Sequence, residues 1–71
     1  MKQYTVIIEK GDSSYGAWVP DLPGCVAAAE TAAEAELLIK EAIEFHIEGL
    51  REDGLDVPEP SSRVIEVAIG A

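Results

Sequence analysis

The sequence predicts an α+β domain in which one long amphipathic helix covers one face of a four-stranded β-sheet. Residues 31–53 carry apolar side chains at steps of three and four, which is the period of a helix. The segments on either side of it alternate or form short apolar runs, which is typical of strands. The chain has 71 residues and one cysteine, so we expect a single domain over residues 1–71 without a disulfide framework.

Three short strands are predicted before the helix. Residues 2–9 alternate apolar and other side chains, as a strand with two different faces does. A turn at residues 10–14 leads to a second strand at residues 15–19. Residues 20–24 end this strand because their two prolines cannot donate ladder hydrogen bonds, and residues 25–29 form a third strand of small side chains.

The helix carries start and stop signals at both ends. Thr31 and Glu34 have the capping-box spacing, in which each side chain bonds the backbone amide of the other residue. Gly54 supplies the left-handed residue of a Schellman ending. The apolar stripe that should face the sheet consists of Ala35, Leu38, Ile39, Ala42, Ile43, His46, Gly49 and Leu50.

Residues 63–69 are predicted as a fourth strand, after an extended linker at residues 57–62. Two hairpins make the first three strands antiparallel, and the helix returns the chain through a right-handed crossover parallel to strand one. The predicted element order is therefore β-β-β-α-β, with sheet order 3-2-1-4. A second subunit or a partner would bind the sheet face away from the helix, or the short third strand at the edge.

The charge balance restricts the choice of partners. Five Lys and Arg against 14 Asp and Glu give a net charge of −9. This charge repels phosphate backbones, so we expect no direct binding to nucleic acid. It suits a basic partner, although solubility is the commoner reason for such a charge. No apolar run approaches the roughly 20 residues that span a bilayer, and the N-terminus begins a strand, so we expect a cytoplasmic protein.

The block Tyr-Gly-Ala-Trp-Val-Pro-Asp-Leu-Pro-Gly-Cys at residues 15–25, with residues 31–35 and 47–54 downstream, resembles the HicB-like antitoxins. The resemblance runs from the first strand to Pro60. It implies a degraded ribonuclease-H-like domain with the same β-β-β-α-β order. It also implies binding and inhibition of a small HicA-type toxin, a ribonuclease that cuts mRNA and is basic on its RNA face. Many members continue into a DNA-binding segment, which we do not expect here.

Enzymatic alternatives have little support in the sequence. A ribonuclease-H site needs several carboxylates to hold two metal ions, whereas the centre of strand one, residues 6–8, has no acid. Cys25 and His46 are the simplest nucleophilic pair, but His46 lies on the apolar stripe and Cys25 is most simply a small buried residue. We therefore expect no catalytic residues, no cofactor and no metal site.

Two residues near the Pro-rich loop are candidates for partner contact. Trp18 belongs either to the core or to an interface, where tryptophan is enriched. Leu22 stands between Pro20 and Pro23. These prolines either present it as an exposed anchor or fold it onto the helix.

The acidic side of the helix is a further candidate. Glu44 and Glu48 form a like-charge pair at four-residue spacing, which costs about 0.2–0.5 kcal/mol, and Leu37 lies exposed among the acids. A docked basic partner would explain this cost, while a solvated face is the ordinary alternative. The candidate partner-binding set is Trp18, Asp21, Leu22, Leu37, Glu41, Glu44 and Glu48.

Three functions remain open at this level. The leading hypothesis is a non-enzymatic antitoxin-like inhibitor of a basic ribonuclease. The second is a self-associating structural or regulatory module without a toxin, and the third is a small enzyme that uses Cys25 and His46. Because so short a chain buries a small core, we expect a homodimer or a higher homo-oligomer.

Overall fold

The computed structural model describes residues 2–70 and contains three strands and one helix. The strands are β1 (Ile7–Lys10), β2 (Tyr15–Trp18) and β3 (Val26–Ala29), and the helix is α1 (Ala32–Glu52). The sheet order is β1-β2-β3, and both pairings are antiparallel. The α+β class, the order of these four elements and the helix position are therefore as the sequence predicts.

The predicted Gly54 ending of α1 is present, and of the predicted capping box the Thr31 half is present, while no bond from the Thr31 amide to the Glu34 side chain is found within residues 2–70. The Thr31 hydroxyl accepts a hydrogen bond from the Glu34 amide at 3.1 Å, so Thr31 is the N-cap. At the other end Gly54 has φ +71°, and the amide of Leu55 donates to the carbonyl of Leu50 at 2.8 Å. The Gly54 amide donates to the carbonyl of Arg51 at 3.1 Å, which completes the Schellman motif.

The core is built around the Pro-rich loop between β2 and β3. The Leu22 amide donates to the Val19 carbonyl and the Cys25 amide donates to the Leu22 carbonyl, both at 3.1 Å. These bonds fold the loop so that Leu22 is 0% exposed. Leu22 is therefore packed inside and is not an exposed anchor. The buried cluster consists of Ala17, Val19, Leu22, Cys25, Ala35 and Ile39.

The sheet covers only part of the apolar stripe of α1. Ala35 and Ile39 are buried, whereas His46 and Leu50, in the second half of the helix, are half-buried. The helix has 21 residues and each strand has four. At rises of about 1.5 and 3.3 Å per residue, the helix extends about 18 Å further than a strand. Its C-terminal half therefore projects beyond the sheet.

The fourth strand is the main difference from the prediction. Residues 63–69 have no regular secondary structure, and the large apolar side chains Val64, Ile65, Val67 and Ile69 are 67–76% exposed. The described sheet is therefore three-stranded, with β1 and β3 at its edges. Strand one also begins later than predicted, at Ile7, because residues 2–5 contact the linker instead of a neighbouring strand.

Candidate protein-binding surfaces

The structure places the seven predicted partner-binding residues in three separate regions. Trp18 lies on the sheet, Asp21 and Leu22 lie in the Pro-rich loop, and the other four lie on the solvent side of α1. These regions face different directions, so the set does not form one site. Each region therefore has to be judged by its own exposure and contacts.

The solvent side of α1 has the features of a binding surface. Glu41, Glu44 and Glu48 are exposed, and Leu37 is 60% exposed among them. Among residues 2–70 the only ion pair joins Lys2 to Glu59 at 3.1 Å, so none of these three carboxylates is engaged in an ion pair. The nearest basic residues along the helix are Lys40, four residues before Glu44, and Arg51, three residues after Glu48, and neither forms an ion pair with these carboxylates.

Phe45 lies on the border of the same surface and was not predicted as a site residue. It is 79% exposed, and it lies four residues after Glu41 and three before Glu48, which places the three side chains next to one another. The available signal was a large aromatic residue outside the apolar stripe. We call this surface the acidic helix face; its members are Leu37, Glu41, Glu44, Phe45 and Glu48.

A second exposed surface lies on the opposite side of the molecule. Ala17 is buried under the helix, and because neighbours along a strand alternate in direction, Trp18 points away from α1. Ile7 and Val26 are its cross-strand partners in β1 and β3. Trp18 is 38% exposed, Val26 is 65% exposed, and Trp18 Nε1 donates to Glu9 at 3.1 Å.

We call Ile7, Trp18 and Val26 the outer sheet face. The row crosses all three strands, since Ile7 pairs with Trp18 and Trp18 pairs with Val26. It is the apolar, thinly covered sheet face that the sequence predicts as a place for a subunit or partner. Its apolar side chains belong to three different strands, whereas the acidic helix face is formed by one helix.

Asp21 has a structural role that the sequence did not indicate. Its carboxylate accepts hydrogen bonds from the amides and hydroxyls of both Ser61 and Ser62, at 2.9–3.0 Å. The backbone bonds from Ser62 and Ser61 lower the pKa of Asp21 from 3.8 to about 2. We call these four bonds the Asp21 clamp. Because this carboxylate already binds the linker, Asp21 is not a free contact for a partner.

Cys25 and His46 line the same open pocket beneath the C-terminal half of α1. Cys25 is 3% exposed, and burial raises the pKa of its thiol, which disfavours the thiolate that a nucleophile needs. Within residues 2–70 no hydrogen bond joins the two side chains, and no group of three His, Cys, Asp or Glu residues is placed to hold a metal ion. The arrangement therefore gives the enzyme hypothesis no geometric support.

No helix in the described part of the chain is long and apolar enough to cross a membrane. One side of α1 packs against the sheet, and the other side carries the exposed glutamates of the acidic helix face. The two features with the clearest capacity for recognition are thus the acidic helix face and the outer sheet face. Both are suited to contact with another protein.

The chain is similar to known proteins over nearly its whole length. A family model described as the HicB-like antitoxin of bacterial toxin-antitoxin systems matches residues 4–69. A UPF0150 protein of Thermoplasma acidophilum is 42% identical over 66 residues, which cover 92% of this chain and 96% of that protein. A UPF0150 protein of Helicobacter pylori is 45% identical over 49 residues, covering 69% of this chain and 68% of that protein.

A longer relative comes from a bacteriophage. An uncharacterized 14.9 kDa protein of Haemophilus phage HP1 is 51% identical over 55 residues, which cover 78% of this chain and 41% of the phage protein. The chain thus spans less than half of that relative and nearly all of the Thermoplasma one. With a family match over nearly its whole length, the chain belongs to the HicB-like antitoxin family of bacterial toxin-antitoxin systems.

Proposed function

We propose that this chain is a non-enzymatic antitoxin that binds and inhibits a small, basic, mRNA-cleaving toxin of the HicA type. Family membership supports an antitoxin role. The observation that carries the choice of surface is the acidic helix face, where three exposed carboxylates that form no ion pair lie beside two exposed large apolar side chains. The toxin, rather than this acidic chain, would contact nucleic acid, and a partner that cuts mRNA places the complex in the cytoplasm.

The chemistry of the acidic helix face fits such a partner. A ribonuclease needs cationic side chains to hold RNA phosphates, and exposed carboxylates at three- and four-residue spacing can pair with those cations instead. Opposite charges accelerate association, while desolvated aromatic side chains supply much of the binding energy at protein interfaces. Phe45, 79% exposed beside Glu41 and Glu48, is the proposed anchor, and Leu37 extends the apolar contact.

The first experiment identifies the partner. The tagged chain is used to capture proteins from its own host at moderate salt, and mass spectrometry identifies what is retained. We expect a small basic protein in near-equal amount that cleaves mRNA on its own and loses this activity when the chain is added. Retention of the chain alone would overturn the antitoxin proposal.

The second experiment tests the surface. The triple variant Glu41→Gln, Glu44→Gln and Glu48→Gln should weaken toxin binding and flatten its dependence on salt, because it removes the proposed ion pairs. The matched control carries Asp12→Asn, Glu30→Gln and Asp56→Asn, which remove the same charge from exposed positions outside the acidic helix face. Equal weakening by both triple variants would indicate a general charge effect and contradict docking on this face.

Phe45→Ala tests the apolar part of the proposal separately. Loss of an interface anchor typically costs about 2 kcal/mol or more, which corresponds to about 30-fold weaker binding. Because Phe45 is 79% exposed, its truncation should leave the free chain folded. Trp18→Ala, on the outer sheet face, is the comparison, and it should weaken toxin binding much less.

The alternative function is a self-associating regulatory module without a toxin. The outer sheet face and the exposed residues 63–69 are the observations that favour it. A fourth strand, and with it the ribonuclease-H-like order that the resemblance implies, would require these residues to pair with a strand edge. The capture experiment distinguishes the two functions, since this module would retain only copies of itself.

A further inference from the structure

The segment 63–69, which we call the C-terminal segment, has the sequence of a strand but no partner strand. Its alternation would place Ile65, Val67 and Ile69 on one face and Val64, Glu66 and Ala68 on the other. In the single chain these apolar side chains are exposed, and Ile69 reaches 76%. The first face is entirely apolar and is therefore suited to burial between a sheet edge and a helix.

The same molecule offers a site of that kind beside β1. The edge of β1 opposite β2 is not paired with another strand of the described chain. An open groove of about 590 Å³ lies between α1 and residues 2–8, which lead into β1 and include its first two residues. Its apolar lining comes from both layers and consists of Tyr4, Val6, Ile8, Ile39 and Ile43.

The linker fixes the position at which the C-terminal segment begins. The Asp21 clamp holds Ser61 and Ser62, and the Thr5 hydroxyl donates to the Ser62 carbonyl at 3.1 Å. The Tyr4 hydroxyl donates to the Pro58 carbonyl at 2.5 Å. The C-terminal segment therefore starts next to residues 4–5, which precede β1, and its large apolar side chains are 67–76% exposed.

We propose that two copies of this chain form a strand-exchanged dimer. The C-terminal segment of each copy adds a fourth strand to the free edge of β1 in the other, and Ile65, Val67 and Ile69 fill the groove there. Each copy offers both the strand and the edge, so a two-fold axis satisfies both in one closed contact. An exposed edge is a natural acceptor for an added strand.

Charge favours a second copy as the occupant at this particular place. Two chains of net charge −9 repel one another over most of their surfaces. The C-terminal segment is neutral, because Arg63 and Glu66 balance. The groove is balanced as well, with two cations and two carboxylates among its lining residues: Lys2, Lys40, Glu36 and Glu44. Contact here brings together two parts of the acidic chains that carry no net charge.

The proposed dimer does not depend on a toxin. Of the acidic helix face, only Glu44 lines the groove, so Leu37, Glu41, Phe45 and Glu48 stay free for another partner. A dimer would present two such faces. Loss of toxin binding and loss of the dimer can therefore be produced by different substitutions.

Light scattering with size-exclusion chromatography provides the first test. The chain should elute with twice its 7.6 kDa mass at micromolar concentration. The double variant Ile65→Asp with Val67→Asp should shift the protein to the monomer, because it would bury charge in the groove. The matched control, Val64→Asp with Ala68→Asp, adds the same charge to the other face of the same segment and should remain a dimer.

Both variants should keep the helical circular dichroism of the parent, since these side chains are exposed in the single chain. A monomeric parent chain would overturn the proposal. So would a dimer that survives Ile65→Asp with Val67→Asp, because its contact would then lie elsewhere, for example on the outer sheet face.

Isotope-filtered nuclear Overhauser spectroscopy on a mixture of labelled and unlabelled chains gives the decisive test. We expect contacts between the methyl groups of Ile65 or Val67 in one chain and those of Ile39 or Ile43 in the other. Contacts found only within one chain would show that the segment folds back on its own sheet, and this result would contradict exchange.

Discussion

β3 and the C-terminal segment show that residue preference alone does not decide which part of this chain becomes a strand. β3 is Val-Ala-Ala-Ala, and alanine is a poor strand former, yet it pairs along its whole length with β2. The C-terminal segment is Arg-Val-Ile-Glu-Val-Ala-Ile, rich in β-branched residues, yet it remains unpaired in the single chain. The deciding factor is whether the preceding connection turns a segment back along a strand edge, since the C-terminal segment also starts near the free edge of β1.

The connections that precede the two segments explain the difference. A short loop leads to β3 and is fixed by the buried Leu22 and by the bond from the Val19 amide to the Cys25 carbonyl at 3.3 Å. The C-terminal segment follows a linker with two prolines, which is held by the Asp21 clamp. The first connection forms a hairpin, whereas the second leads the chain off the sheet.

Among the substitutions that test this difference, removing the buried side chain of the loop should have the largest effect on stability. Leu22→Ala leaves a cavity at a fully buried position and should lower the free energy of unfolding by about 2–5 kcal/mol. Because β3 depends on this loop, its amides should lose protection from hydrogen exchange first. Leu37→Ala is the matched control, since Leu37 is 60% exposed. A loss below about 1 kcal/mol for Leu22→Ala would show that the loop does not hold β3.

A smaller effect is expected from the glycine that turns the loop into β3. Gly24 has φ +84°, and no atom lies within 4 Å of the position of an added Cβ, so Gly24→Ala costs only backbone strain. We expect a loss of about 1–2 kcal/mol in the free energy of unfolding. Gly16→Ala in β2 also meets no neighbour within 4 Å, but its φ is not positive, and it should cost clearly less. Urea denaturation of both variants measures the difference.

Much of the fold could be predicted because its signals are local. The Thr31 cap, the Gly54 ending and the turn residues between strands each act over a few positions in the sequence. The Asp21 clamp joins residues 40 and 41 positions apart, and no local pattern indicates such a contact. The burial of Leu22 depends likewise on which elements finally meet, whereas the position of Phe45 outside the apolar stripe already indicates its exposure.

The Asp21 clamp predicts a specific dependence on pH. Its folded-state pKa of about 2 lies below the ordinary value of 3.8, so the clamp should be fully formed above about pH 4 and lost as the pH falls through 2. Asp21→Asn should release Ser61 and Ser62 while the sheet and helix stay folded. Amide chemical shifts of these two serines, followed in the parent chain from neutral to acid pH, measure the transition.

Asp12→Asn, in the exposed turn between β1 and β2, is the matched control and should leave the amides of Ser61 and Ser62 unchanged. The stability difference between the parent and Asp21→Asn should shrink as the pH falls from about 4 to 2. A difference that stays constant over this range would show that the carboxylate charge does not hold the linker.

The smallest effect should come from the C-terminal segment itself. Ile65→Ala removes a large β-branched side chain that is 71% exposed, so the unfolding free energy of the monomer should change by less than about 0.5 kcal/mol. Ile39→Ala removes the same side chain from a position that is 1% exposed and should cost about 2–5 kcal/mol. The measurement requires urea unfolding at a dilution where light scattering shows a monomer. A loss above about 1 kcal/mol for Ile65→Ala would mean that the C-terminal segment packs on its own chain. The absence of a partner strand would then no longer explain why residues 63–69 do not form a strand while β3 does.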